Sequence, residues 1–467
     1  MKRKLVLVLV VSMLAALAMT SSAFATGGGL SYTSGVQVVN LDAGTATIGL
    51  TYYNQDGTIE ASPADTIPGN GSKTYFPIHA GVGFDGSLVI SSDKPITAIA
   101  NTITTDFAYG AATTSFSSGS TTVDLPLIMC NNSGFNTWFN VQNAGSSSAS
   151  IDIDYTPGSN GVSGSESDTI AIGAAHTFDQ ASGSSTTNCD DLADGSGKFI
   201  GSARVTSNQP VVATVMQLGT GGFNVLMGYN GFASGGSTTV QLPLIMALNS
   251  GFYTGYQVQN VGGSSTVATI EYGTNLGGAL TPLPDSCSLD PGESCTLIQN
   301  GGQWTSKYVG SASVTASQDL VVVVNQISAG GGGVGPFGTA YEGFDPSGAT
   351  GAISASLIMA NNGGYYTGVQ VMNVGGGTCG TVTIDYGANL GGGFNPVNET
   401  FSLAAGASWT VIQNGSAPGN GGSNNWGTNK YVGSAEITGS GCTLVAIVNE
   451  LAITGGDNFF TYIGFNH

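Results

Sequence analysis

Apolar and polar positions alternate along most of this chain in short bursts. In Ser150-Ile-Asp-Ile-Asp-Tyr155 every second residue is apolar. Ala46-Thr-Ile-Gly-Leu-Thr-Tyr52, Thr269-Ile-Glu-Tyr272 and Thr383-Ile-Asp-Tyr386 share the same period of two. That period puts apolar side chains on one face of a β-strand and polar ones on the other. A matching run precedes each burst: Val36-Gln-Val-Val-Asn40, Phe139-Asn-Val-Gln-Asn143, Tyr256-Gln-Val-Gln-Asn260 and Val369-Gln-Val-Met-Asn373. A Gly/Ser/Ala turn joins each pair, so each reads as a β-hairpin. No stretch carries the 3.6-residue apolar period of a long helix.

The hairpin recurs, and a second block recurs with it. The Asn closing each first run lies 103, 117 and 113 residues from the next. The second block reads Gly86-Ser-Leu-Val-Ile90, Gly201-Ser-Ala-Arg-Val205, Gly310-Ser-Ala-Ser-Val314 and Gly433-Ser-Ala-Glu-Ile437. A mostly apolar run follows it each time, as in Pro210-Val-Val-Ala-Thr-Val-Met216, and in three repeats an aromatic strand such as Tyr229-Asn-Gly-Phe232 comes last. Leu125-Pro-Leu-Ile-Met129, Leu242-Pro-Leu-Ile-Met246 and Leu357-Ile-Met359 open repeats two to four. Repeat one lacks this opening strand or carries Gly29-Leu30-Ser31-Tyr32 in its place. Short strands with frequent turns in a unit of about 100 residues predict a two-sheet sandwich, and a unit of that size can bury its own core. The expected fold is all-β, with four tandem immunoglobulin-like antiparallel β-sandwiches at 26–121, 122–238, 239–353 and 354–467. Short Gly/Ser linkers suggest beads on a string.

The N-terminus has a different pattern. Lys2, Arg3 and Lys4 precede an apolar stretch from Leu5 to Met19, and Ala23-Phe24-Ala25 fits a small-x-small cleavage site. Residues 1–25 therefore read as a secretory signal peptide, too short to span a bilayer. No later segment is long and apolar enough to cross a membrane, so no integral span is expected after cleavage. Only 8% of residues are charged. Three of the nine Lys and Arg fall in the leader, leaving six against 28 Asp and Glu and a mature charge near −22. A chain this acidic has no surface to displace counterions from nucleic acid, and none to dock on anionic lipid. Its 41% hydrophobic content is enough to fill cores.

The motif aromatic/Val-x-Val-x-Asn-Val/Ala-Gly, then Thr-Ile-x-Tyr, then Gly-Ser-Ala-x-Val resembles the secreted immunoglobulin-like repeats of bacteria and archaea. Among these it is similar to the cell-adhesion-related surface repeats. The resemblance covers the whole mature chain and implies the sandwich fold and an extracellular role. It brings no catalytic residues. Wall-sorting and surface-layer anchoring modules often accompany such repeats, and the sequence shows neither.

The candidate chemistry is sparse. Six Cys in an exported chain predict disulfides. Cys287 and Cys295 bracket the turn Asp290-Pro291-Gly292 and are expected to staple a hairpin; Cys130 with Cys189 and Cys379 with Cys442 are the pairings expected within repeats two and four. His79, His176 and His467 stand apart, and neither Gly-x-Ser-x-Gly nor His-Glu-x-x-His occurs. Gly195-Ser-Gly197-Lys198 fails as a phosphate loop, because Phe199 stands where Ser or Thr is needed. No catalytic residue and no cofactor is expected. Asp190, Asp191 and Asp194 crowd one loop. They read as a solvated acidic loop, with Ca²⁺ as the alternative. Phe135 and Trp138, Phe252 and Tyr253, and Tyr365 and Tyr366 form an aromatic loop before the hairpin in three repeats. Aromatics so placed can pack against a neighbouring repeat or offer a glycan or partner surface. The expected function is a non-enzymatic structural protein of the cell surface or matrix: a stalk, matrix or filament subunit. Its expected partners are other copies of itself or surface and matrix components. The alternative is an adhesin or carbohydrate-binding protein that uses the aromatic loops.

Overall fold

A computed structural model describes residues 30–181, 185–233, 235–330, 335–452 and 456–467, with the backbone path of residues 15–21. The remainder of the expected signal peptide lies outside the described residues. Apart from one turn of α-helix at Cys189–Leu192 and a 3-10 turn at Pro346–Gly348, the described regular structure is β-strand, and every strand pair is antiparallel.

Each repeat encloses its own core between two sheet layers. In the first, one layer contains Ala46–Asn54 and Gly86–Ser92; the other contains Tyr32–Asn40, Ile96–Thr104 and Gly110–Thr114. Val36 and Val38 from the second layer meet Ile48, Leu50, Tyr52, Leu88 and Ile90 from the first, all essentially inaccessible. The alternation read from the sequence is the burial pattern found: in Ala149–Asn160, Ile151, Ile153 and Tyr155 point inward while Asp152 and Asp154 point out. The fourth repeat has the same two layers, with five strands and four. In repeats two and three the Gly-Ser block and the apolar run after it fuse into single strands of 21 residues, Phe199–Gly219 and Tyr308–Ser328. The first half of Phe199–Gly219 pairs with Ala149–Asn160 and its second half with Phe135–Asn143, so the strand passes from one layer to the other.

The opening strands carry a bulge at a repeated place. Register shifts between Leu125 and Ile128, between Leu242 and Ile245, and between Ala355 and Ile358. In the first two the Pro of Leu-Pro-Leu falls there, as expected of a residue that cannot donate to a ladder. The tyrosine of each terminal strand fastens the bulge: Tyr229, Tyr341 and Tyr462 donate to the carbonyls of Leu127, Leu244 and Leu357 at 2.9, 2.7 and 2.7 Å. In repeat one, Gly29-Leu30-Ser31-Tyr32 is not the opening strand. Tyr32 begins the hairpin strand, and the opening place is taken by Ala15–Ser21, a segment of the expected signal peptide, through its pairing with Gly86–Ser92; cleavage near Thr26 would leave that edge of repeat one open.

The repeats do not hang as separate beads. The terminal strands Gly110–Thr114, Val225–Asn230, Phe337–Glu342 and Phe459–Ile463 pack in a closed cycle: first on second, second on third, third on fourth and fourth on first. Small residues permit the approach. A Cβ on Gly110 would sit 2.6 Å from the Phe460 ring, and one on Gly338 would sit 2.8 Å from Val225. Cores run across these junctions. Val323 and Ala340 of repeat three belong to the apolar cluster of repeat two, and Ile447 of repeat four to that of repeat three. Tyr32 and Ala111 of repeat one pack with Trp138, Met216 and Leu226 of repeat two.

The serine of the Gly-Ser block latches each repeat to the next. Ser87, Ser202 and Ser311 donate to the carbonyls of Gly173, Gly292 and Gly406, the last two at 2.5 and 2.6 Å. Ser434, the fourth of the series, is exposed. The junction of repeats four and one is therefore held at the axis of the ring and, among the described residues, has no outer latch like those at the other three junctions.

Candidate functional site: the cleft between the fourth and first repeats

The residues singled out by sequence go to different places. The aromatic loops begin the hairpin strands at the repeat junctions. Trp138 is buried with its ring 5.8 Å from Tyr32 of repeat one. Phe135 lies 5.9 Å from Phe223 of its own repeat, the two rings tilted. Phe252 lies 5.8 Å from Phe337 and 5.4 Å from Phe459 of repeat four. Burial raises the phenolic pKa of Tyr253, Tyr365 and Tyr366. Tyr365 and Tyr366 line two separate inter-repeat cavities.

The acidic loop is spent on local structure. Asn188 and Asp191 form a capping box on the helical turn, with Asn188 also accepting from the Asp190 amide. Asp194 accepts from Ser196 and from the Gly161 amide, and these bonds hold its carboxyl down to about 2. Among the described residues no group of three or more His, Cys, Asp or Glu side chains is placed to hold a metal ion, so the three aspartates do not make a shared Ca²⁺ ligand set.

The sulfurs are joined as Cys130–Cys189, Cys287–Cys295 and Cys379–Cys442. His176 bridges repeats, with Nδ1 2.6 Å from Asp168 and Nε2 2.9 Å from the Gln55 carbonyl of repeat one. His467 lies 2.9 Å from Glu436, and the His79 ring lies edge-on to Tyr75.

The features that converge were not singled out by sequence. At two junctions, adjacent positions at the end of the apolar runs face one another. Gln217 of repeat two exchanges both amide hydrogen bonds with Asn325 of repeat three, at 3.0 and 2.7 Å. Gln326 of repeat three does the same with Asn449 of repeat four, at 3.1 and 2.8 Å, and also donates to Thr461 at 3.1 Å. These buried amides are paired, as buried polar groups must be.

The same places at the last junction hold Glu450 of repeat four and Asn101 of repeat one. Asn101 pairs in register with Ala112, as Asn449 does with Thr461, so the hydroxyl available to Gln326 is a methyl group here. Among the described residues no hydrogen bond or ion pair reaches the Glu450 carboxyl, although Glu450 is only 9% exposed. Both side chains line a cavity of about 360 Å³. Its apolar walls include Ile99, Ile103 and Tyr109 of repeat one and Leu357, Met359 and Phe460 of repeat four. Burial pushes the Glu450 carboxyl up to about 8.

Asp457 stands at the edge of this cavity and reaches the middle of the ring. It accepts from the Leu226 amide of repeat two at 2.8 Å and the Gly338 amide of repeat three at 2.9 Å, while its own amide donates to Ala108 of repeat one at 2.8 Å. One side chain and its backbone thus tie repeat four to the other three. Burial raises its carboxyl well above the usual range.

This architecture defines the class of the molecule: an all-β chain of tandem antiparallel sandwiches. No family model matches it, and no curated protein matches its sequence. Among solved structures, Thermotoga maritima 1070 is 19% identical over 26% of this chain and 98% of its own, with a TM-score of 0.20. A tetra-tandem repeat from the extending region of a large adhesion protein is 13% identical over 97% of this chain and 99% of its own, with a TM-score of 0.11. Three disulfides fit an extracellular protein, and among the described residues no helix is long and apolar enough to cross a membrane.

Proposed function

We propose that this chain is an exported, non-enzymatic structural component of the cell surface or extracellular matrix, delivered as a compact ring of four sandwiches instead of a length-giving rod. The observation that carries the reading is the closed cycle of terminal strands, with the serine latches at three junctions and Asp457 reaching three other repeats. A stalk needs repeats joined end to end, whereas here each sandwich turns its terminal strand inward. The outer surface is Ser, Thr, Asn and Gly with few charges, and six Lys and Arg in the mature chain offer trypsin-like proteases few sites. Other copies of the chain and surface or matrix components remain the proposed partners. The aromatic loops, as the start of the junctions, serve assembly of the ring.

Two measurements test this. Edman sequencing of protein recovered from the culture medium or the cell envelope should begin near Thr26. Small-angle scattering of the mature chain should give a radius of gyration of about 22–25 Å, the value for a compact body of this length. A value about twice that, the signature of a rod, would overturn the ring and the role built on it.

A further inference from the structure

The last junction departs from the other junctions in a way that packing does not explain. Where Gln217 meets Asn325 and Gln326 meets Asn449, the facing groups are neutral amides that satisfy one another. Glu450 puts an acid in that place and removes the amide donor, while Ala112 holds the strand position of Thr461, as Ala340 does at the junction of repeats two and three. Glu450 is only 9% exposed, and a carboxyl that has no partner among the described residues is costly to keep there unless something neutralises it. Among the described residues the junction also has no outer serine latch. The cavity is of ligand size, mostly apolar, with a few convergent polar groups, as binding sites are.

We propose that the cleft between the fourth and first repeats binds a small organic ammonium ion with an apolar body, with Glu450 as its counter-ion and Asn101 Oδ1 as a second acceptor. Three observations point to a cation. Among the described residues no Lys, Arg or His lines the cleft. The chain is strongly acidic, and a field of that sign draws cations in. Tyr109, Phe107, Tyr365 and Phe460 line the walls, and aromatic faces beside a desolvated carboxylate favour an ammonium group over a neutral one. The other ionisable groups facing Glu450 are already engaged. The Asp457 carboxyl accepts two backbone amides, the Tyr365 hydroxyl donates to Asn458 at 3.0 Å, and Tyr462 donates to Leu357. Tyr109 brings a phenol to the wall of the cleft.

This site goes beyond the structural role and stands apart from it: a ring with an empty cleft would leave that role intact. The test is calorimetric titration of the full mature chain with phenethylamine hydrochloride and, as the uncharged counterpart, 2-phenylethanol. The amine should bind at least tenfold more tightly than the alcohol. Because the binding-competent carboxylate is the minor form below its pKa, amine affinity should rise roughly tenfold per pH unit between pH 6 and 7.5, while alcohol affinity stays flat. Glu450→Gln supplies the residue found at 217 and 326, so it should keep the fold; it should weaken the amine at least tenfold and abolish the pH dependence. Glu450→Leu, which fills the space without a polar group, should do the same, with thermal melting of both variants recorded as the control for folding. Equal binding of amine and alcohol, binding of the amine that survives Glu450→Gln, or no binding of the amine at all would each overturn the proposal.

Discussion

The asparagine at the end of each hairpin strand shows how much one side chain can organise. Asn260 Nδ2 donates to the carbonyls of Ser264 at 2.9 Å and Leu289 at 3.2 Å, while its Oδ1 accepts from the Gly262 amide at 3.0 Å. Asn40, Asn143 and Asn373 repeat this arrangement with the equivalent backbone groups. Its local half, an Asn bonding its own turn, was legible in the sequence. Its other half, the reach to a strand nearly thirty residues on, was not. Asn260→Ala strands these groups, and we expect it to cost about 2–4 kcal/mol in urea unfolding. At the same scale, Glu450 makes stability depend on pH. Its folded pKa of about 8 lies above the ordinary glutamate value, so the folded chain holds the proton more tightly. The contribution is fully present below about pH 4.5 and is lost as pH rises through 8. Glu450→Gln should flatten the melting temperature across that window, and an unchanged pH profile would count against burial of this acid. The signal for Glu450 lay in comparing repeats: Asn325-Gln326 and Asn449-Glu450 close equivalent runs, but only the structure shows what faces them.

Strands and turns were the most legible level. A period of two places side chains on two faces whatever the rest of the chain does, and the observed burial follows it. For repeat one the sequence left open whether the opening strand is missing or replaced by Gly29-Leu30-Ser31-Tyr32; the strand found on that edge, Ala15–Ser21, comes from the expected signal peptide, because a sequence shows where apolar residues lie and not which strand edge they will fill. The disulfides act on elements too. Cys130–Cys189 ties the opening strand of repeat two to its helical turn across 59 residues. Cys130→Ser with Cys189→Ser should lower the unfolding free energy of that repeat by about 2–4 kcal/mol; equal stability of the oxidised parent and the double variant in guanidinium unfolding would refute this. The terminal strands are the elements that make the ring. Gly110→Val pushes a branched side chain toward the Phe460 ring and Ile103, so the closing junction should part while each sandwich keeps its fold. The expected readout is a larger radius of gyration with an unaltered far-ultraviolet dichroism spectrum.

At the scale of the whole molecule, four similar units meet around one axis, and the unit that closes the cycle differs from the others. Asp457 binds amides of repeats two and three from a loop of repeat four. Asp457→Ala leaves both amides unpaired at the centre, and it should loosen the ring and lower the first thermal transition; Asp457→Asn, which keeps one acceptor, should lower it less. Identical melting of both variants and the parent would show that the axis does not depend on this carboxyl. By itself, the sequence determined the all-β class, the four hairpins and the inward faces of each sandwich, because these follow from local periodicity and from turns a few residues long. Tertiary structure alone decided that the sandwiches close into a ring, that aromatic loops become junctions, and that an unpartnered glutamate faces a cleft. Those features depend on contacts between residues a hundred or more positions apart, where packing of whole surfaces, and no local pattern, selects the neighbour.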